Sequence, residues 1–157
     1  MSSSSSYEEF VDRASSELAA QGFPRMPAKV IMALTASEDG RMTVTELAEQ
    51  LTVSPAAISG AIRYLSAVGF VRSSTIPGTR RHVYALPETA WYTSTLHRPG
   101  LYRRVEAVLR SSAGKLPEAA ARARIEEMAD FFGFLDERLP ELLAEWEDQR
   151  AARSQSS

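Results

Sequence analysis

The 157 residues predict a mainly α-helical protein that carries one small β-hairpin. Three features lead there. Apolar residues recur at helical spacing through most of the chain, as expected of helices with one buried face. The period becomes strand-like only at Phe70–Thr75 and His82–Leu86, on either side of Ile76–Arg81. Gly22, Gly69 and Pro77-Gly78 fall at the ends of these segments, where helix stops and turns need them.

The elements follow in order. Residues 1–6, rich in serine, read as a disordered lead-in. A helix over 7–22 starts at Ser6, which has capping-box spacing to Glu9. Tyr7, Phe10, Val11, Ala14 and Leu18 form its apolar stripe, and Gly22 ends it. Pro27 suits the first turn of a second helix, with Val30, Ile31 and Leu34 inward. Ser37–Gly40 is a turn, and Met42–Val44 a very short strand. A helix over about 45–52 turns Leu47, Ala48 and Leu51 to one face. Thr52-Val53-Ser54 is a three-residue turn. Ser54 is the cap of the next helix, and Pro55 its first residue. Ile58, Ala61, Ile62, Leu65 and Val68 are that helix's inner face, and Gly69 its stop. Pro77-Gly78 between the two strands has the residue order of a type II turn.

Beyond Pro87 the chain reads as helical again, in pieces over 88–97 and 101–112 separated by Pro99-Gly100. A last helix opens at Pro117. Its residues Ala121, Ile125, Met128, Phe132, Leu135, Leu139, Leu142 and Trp146 follow a seven-residue repeat. Pro140 lies inside it and should bend it. Residues 153–157 read as a disordered tail.

Composition narrows the function. There is no cysteine, so disulfide scaffolds, thiolate metal sites and cysteine nucleophiles are excluded. With only His82 and His97, no metal site is expected. No nucleophile motif or glycine-rich phosphate loop is present, so neither an enzyme nor a cofactor is expected. No segment has the apolar length of a membrane span, and no secretory signal opens the chain. A cytoplasmic protein is the expectation. The formal net charge of −2 hides an asymmetry. Residues 41–86 and 87–116 each carry +3, whereas 1–40 carry −3 and 117–157 carry −5. A basic middle of this kind can mark an electrostatic footprint.

A helix, a three-residue turn, a capped helix and a hairpin in that order make a winged helix-turn-helix over 23–87. The second helix of such a pair enters the DNA major groove. Its outward face here is small, with Ala56, Ser59 and Gly60, so the helix axis can approach base edges, and Ala57 is grouped with these DNA-facing residues. Arg63 can reach phosphate or guanine, and Tyr64 lies at the edge of the face. Ser54 and Ser59 can bond phosphate or bases, the start of the helix itself attracts phosphate, and Thr43 is grouped with these DNA-facing residues. Arg72, Thr79, Arg80, Arg81 and His82 belong to the wing, whose basic tip suits a narrow minor groove. Double-stranded DNA is therefore the expected partner.

Three stretches resemble the MarR family of winged-helix regulators, and look closest to its GbsR-like branch. They are Met42 to Ser59 (Met-Thr-Val-Thr-Glu-Leu-Ala-Glu-Gln-Leu-Thr-Val-Ser-Pro-Ala-Ala-Ile-Ser), Tyr64 to Val71 (Tyr-Leu-Ser-Ala-Val-Gly-Phe-Val), and the wing Pro77-Gly-Thr-Arg-Arg. The resemblance implies a homodimer of triangular outline, two DNA-reading lobes and a small-molecule effector. Many MarR wings carry Asp-Arg-Arg; Thr79 stands where that aspartate would fall. The choline-responsive branch also suggests an aromatic site for a quaternary amine, for which Trp91, Tyr92 and Tyr102 are the candidates.

The seven-residue repeat points to dimerisation on its own account. The N-terminal helix over 7–22 and the helical region over 88–152 are the expected dimerisation elements. Phe10, Leu18, Ile125, Met128, Phe132, Leu135, Leu139, Leu142 and Trp146 would lie in the contact, with Phe131, Phe134 and Leu143 flanking it. A two-fold dimer sets its reading helices about 34 Å apart and requires a near-palindromic site. The expected function is a sequence-specific transcriptional regulator, a repressor relieved by an effector. The alternative is an adaptor whose basic face meets an acidic protein.

Overall fold

The computed structural model describes residues 3–89, 92–94 and 100–155. The chain divides into two compact units, Met1–Trp91 and Tyr92–Ser157. The first unit holds α1 (Ser3–Ala20), α2 (Arg25–Ala36), β1 (Arg41–Met42), α3 (Val44–Leu51), α4 (Pro55–Ala67), β2 (Arg72–Thr75) and β3 (His82–Ala85). The second holds α5 (Leu101–Ala113) and α6 (Ala119–Gln155).

Helix α1 starts at Ser3, so it takes in residues 3–6 of the expected lead-in and begins before Ser6. Serine costs only a few tenths of a kcal/mol more than better helix formers. Once the Tyr7–Leu18 stripe is helical, nothing in the serine run stops propagation. Gly22, at φ +91°, ends the helix as expected. The Phe23 N–H reaches back to the Leu18 carbonyl at 3.0 Å and the Gly22 N–H to Ala19 at 3.1 Å. That pair of bonds is a Schellman ending.

The core of the first unit is built from the residues with helical period. Val30, Ile31, Leu34, Leu47, Ile58 and Leu65 are fully buried. Helix α1 contributes Val11 to this core, and the Tyr7 hydroxyl donates to the Ala33 carbonyl at 3.1 Å. The N-terminal helix expected to serve dimerisation is therefore part of the first unit's own packing. It leaves Phe10 exposed and Leu18 half-buried. Burial in the apolar core pushes the Tyr7 phenol above its ordinary value.

The short strand expected over Met42–Val44 forms at Arg41–Met42 instead, because Thr43 caps the next helix and Val44 opens it, and it joins the hairpin as a third strand. β1 pairs with β3, giving an antiparallel sheet in the order β1-β3-β2. Arg41 faces Ala85, and Thr75 faces His82 across the hairpin.

In the second unit α5 lies along α6. Tyr102 stacks on Phe132 with ring centroids 6.2 Å apart. Arg103 pairs with Asp136 at 3.2 Å, and Arg110 with Asp130 at 2.8 Å and Glu106 at 2.9 Å. Helix α6 is continuous through Pro140 and runs to Gln155, past the start of the expected tail. The expected seam is split. Ile125, Phe132, Leu135 and Leu139 are half-buried, whereas Met128, Leu142 and Trp146 are exposed. The positions of α6 that bury are Ala129 and Leu143. Met128, Phe131, Leu142 and Trp146 lie about 100–160° around the helix from Ala129. One stripe therefore packs within the unit, and a second, apolar stripe is uncovered.

Candidate nucleic-acid interface

The Val44–Leu51 helix is closed at its start by a reciprocal cap. The Thr43 hydroxyl accepts from the Glu46 N–H at 3.2 Å, and the Glu46 carboxylate accepts from the Thr43 N–H at 2.7 Å. The Thr43 hydroxyl also donates to that carboxylate at 2.8 Å. Thr43, grouped by sequence with the DNA-facing residues, is 5% exposed and serves as this cap. It offers almost no surface to a partner. The Thr43-x-x-Glu46 spacing signals the cap in the sequence alone. Hydrogen bonds from the Thr43 backbone and hydroxyl, and then the Arg81 charge, hold the Glu46 carboxyl below the ordinary glutamate value.

Thr52 turns the chain with φ +54°, a left-handed conformation a β-branched residue adopts only at a cost. Ser54 then caps α4, its hydroxyl accepting from the Ala57 N–H at 3.3 Å, and Pro55 opens the helix. Ile58, Ala61, Ile62 and Leu65 bury one face. Ala56, Ser59, Gly60 and Arg63 lie exposed on the other, and Ala57 is half-buried. A side chain at Gly60 would meet nothing within 4 Å. Glycine is therefore not needed there for the fold, and its smallness leaves the outer face of α4 flat. Tyr64 is partly exposed, and its ring meets Phe23 edge-on at 5.9 Å. It belongs as much to the packing of the first unit as to the surface.

The wing tip is a type II turn. Pro77 and Gly78 occupy its centre, Gly78 has φ +78°, and the Thr79 N–H donates to the Ile76 carbonyl at 3.0 Å. The Ile76 N–H donates to the Arg81 carbonyl at 3.0 Å and closes the loop. Thr79, Arg80, Arg81 and His82 are exposed, as is Arg72 on β2. Ser73 and His82 share a hydrogen bond of 3.3 Å across the strands.

The aromatic trio proposed from sequence is not assembled. Trp91 lies outside the described residues. Tyr92 meets Trp146 at 6.2 Å, whereas Tyr102 meets Phe132. Fourteen residues of helix separate those two anchors, about 21 Å at 1.5 Å per residue. Tyr92 and Tyr102 therefore cannot share one small ligand. Tyr92 instead lines a cavity of about 310 Å³ with Leu142, Leu143, Glu145, Trp146 and Gln149. The Arg150 guanidinium donates to the Tyr92 hydroxyl at 3.0 Å.

Residues 34–83, which span α3, α4, β2 and the wing turn and end within β3, match the model of the MarR family. Residues 89–149 match the model of MmpR5-like MarR family transcriptional regulators. No curated protein matches the chain. A solved structure described as a transcriptional regulator shares the fold, with a TM-score of 0.81 at 20% identity, over 91% of this chain and 99% of that one. Weaker likenesses include the adhesin competence repressor AdcR of Streptococcus pyogenes, with a TM-score of 0.42 at 20% identity over 80% and 91% of the two chains. Another is the zinc-responsive MarR family member ZitR of Lactococcus lactis, with a TM-score of 0.40 at 21% identity over 74% and 76%. Residues 34–83 and 89–149 are thus each similar to MarR family transcriptional regulators.

Proposed function

We propose that this protein is a sequence-specific DNA-binding transcriptional regulator, acting as a homodimeric repressor on a near-palindromic operator. The observation that carries this is the outer face of α4. A Ser54-capped helix presents Ala56, Ser59, Gly60 and Arg63 to solvent beside a wing with exposed Arg72, Arg80 and Arg81. Small residues admit the helix to a groove, and a guanidinium reads guanine or binds phosphate there. The GbsR-like placement rests on the Met42–Ser59 and Tyr64–Val71 stretches. Dimerisation is supported by the uncovered stripe of α6. A small-molecule effector belongs to the same reading, and the cavity beside Tyr92 and Trp146 has the room and the apolar walls for one.

Fluorescence anisotropy on DNA from the gene's own upstream region, at stepped salt, tests the proposal. Binding should weaken steeply with salt as counterions are released. Arg63→Ala should cost about 1–3 kcal/mol and relax preference at one base pair. Arg80→Ala with Arg81→Ala should weaken binding to every sequence. Absence of salt-dependent binding at low salt, or full affinity in both variants, favours the adaptor function instead.

A further inference from the structure

We propose that the Thr79 hydroxyl is the clamp that sets the direction of the two wing-tip arginines, acting as a positioning residue rather than a DNA contact. It rests on the DNA-binding function proposed above and assigns a role within that site.

The geometry is local and complete. The Thr79 hydroxyl donates to the Ile76 carbonyl at 3.1 Å and accepts from the Arg81 N–H at 3.1 Å. The Thr79 N–H already uses the same Ile76 carbonyl at 3.0 Å. One side chain therefore ties both limbs of the tip together, across Pro77-Gly78 on one side and Arg80 on the other. Its donor and one acceptor site are spent on the wing itself. Arg80 lies between the two residues the clamp joins, so its backbone is fixed from both ends. Pro77 and Gly78 set their own torsions, but neither restrains residues 80 and 81. Without the hydroxyl, the Arg81 N–H loses its partner, and the residues before β3 are held only by the Ile76 N–H bond to the Arg81 carbonyl. The two guanidiniums then enter a groove only after being ordered, and ordering opposes binding.

Thr79→Val removes the hydroxyl and keeps the shape; Thr79→Ser keeps the hydroxyl. The probe is a labelled duplex enriched from a random-sequence pool on the wild-type chain. Thr79→Val should bind about five- to tenfold more weakly, the scale of one hydrogen bond and the ordering it secures. Thr79→Ser should bind as the wild type does. The dependence of affinity on salt should keep its slope in Thr79→Val, because no phosphate-binding charge is removed. In the DNA-free chain, hydrogen exchange of the Arg81 amide should accelerate in Thr79→Val alone, a readout of the clamp independent of DNA. Equal affinity of Thr79→Val and wild type, equal weakening of Thr79→Val and Thr79→Ser, a flattened salt slope, or unchanged Arg81 exchange each overturns the clamp. A wild-type chain that enriches no duplex at all refutes DNA binding instead, and leaves the exchange measurement to judge the clamp.

Discussion

The uncovered stripe of α6 can be tested by a substitution at Phe131. Leu135 sits at the centre of the seven-residue repeat, but it is half-buried within its own unit. A charge there would disturb folding and association together. Phe131 is 56% exposed and lies on the stripe with Met128, Leu142 and Trp146, which are 52%, 51% and 38% exposed. A phenylalanine side chain of about 200 Å² then leaves about 110 Å² uncovered. At about 25 cal/mol per Å², covering it stabilises association by about 3 kcal/mol. A two-fold contact uses the residue twice, for an upper bound near 6 kcal/mol. Ordering and imperfect fit reduce such sums, so about half is a reasonable lower figure.

Phe131→Asp should therefore raise the dimer dissociation constant about 100- to 10,000-fold, at 1.4 kcal/mol per decade. Sedimentation equilibrium over a concentration series measures it. Helix content should stay unchanged, since the ring is mostly in solvent already. A wild-type chain that is monomeric at micromolar concentration refutes the premise. A Phe131→Asp chain that dimerises as tightly as the wild type refutes the assignment of this face.

Other substitutions probe the two units separately. Glu46 is held below the ordinary glutamate value, so its stabilising effect is present above that value and fades as pH falls through the lowered one; Glu46→Gln should flatten this acid limb in chemical denaturation. Tyr7→Phe should cost about 0.5–1.5 kcal/mol through the lost bond to Ala33. Tyr7 is raised by burial, so the wild type also loses stability as pH climbs through the raised value, and the variant should not. At Gly133, an added methyl would meet the Glu106 carboxylate at 3.0 Å. That carboxylate belongs to an exposed pair with Arg110 worth less than about 1 kcal/mol, whereas alanine gains about 1 kcal/mol over glycine inside a helix. Gly133→Ala should thus leave the melting of the second unit unchanged or slightly raised, and a fall of several degrees would mean that Glu106 cannot move.

What the sequence made legible follows from how local each signal is. The Ser54-Pro55 start, the Gly22 and Gly69 stops and the Pro77-Gly78 turn depend on residues a few positions apart, and each stands in the structure. The inner face of α4 was equally plain, because helical period alone sorts Ile58 and Leu65 from Ser59 and Arg63. The pairing of Arg41–Met42 with β3 joins residues more than forty positions apart, and two residues carry no period. Nor could the repeat in α6 say which stripe would be covered. That depended on where α5 lay, and the Tyr102–Phe132 stack and the Arg103–Asp136 pair decide it. Thr79 was visible only as a missing aspartate; its two hydrogen bonds show what stands in that place.

The charge asymmetry also changes meaning once partners are known. Segment 87–116 carries +3, the same as the helix-and-wing segment, yet Arg103 and Arg110 in it are tied to acids of the second unit. Their charge is spent within the protein. In the segment over 41–86, Arg41 lines a cavity beside Glu38, Asp39 and Glu46. Arg63, Arg72 and Arg80 are exposed and, among the described residues, enter no ion pair, while Arg81 feels the charge of Glu46. These four are the exposed cations of the helix and wing assigned here to phosphate, eight in a dimer. Each phosphate neutralised contributes about −0.9 to the slope of log affinity against log salt, so the slope should be no steeper than about −7. Arg103→Ala should leave it unaltered and Arg80→Ala should flatten it by about 2 per dimer. If instead the two variants flatten it equally, the second unit also carries DNA-facing charge, and the division of the basic middle between fold and partner is wrong.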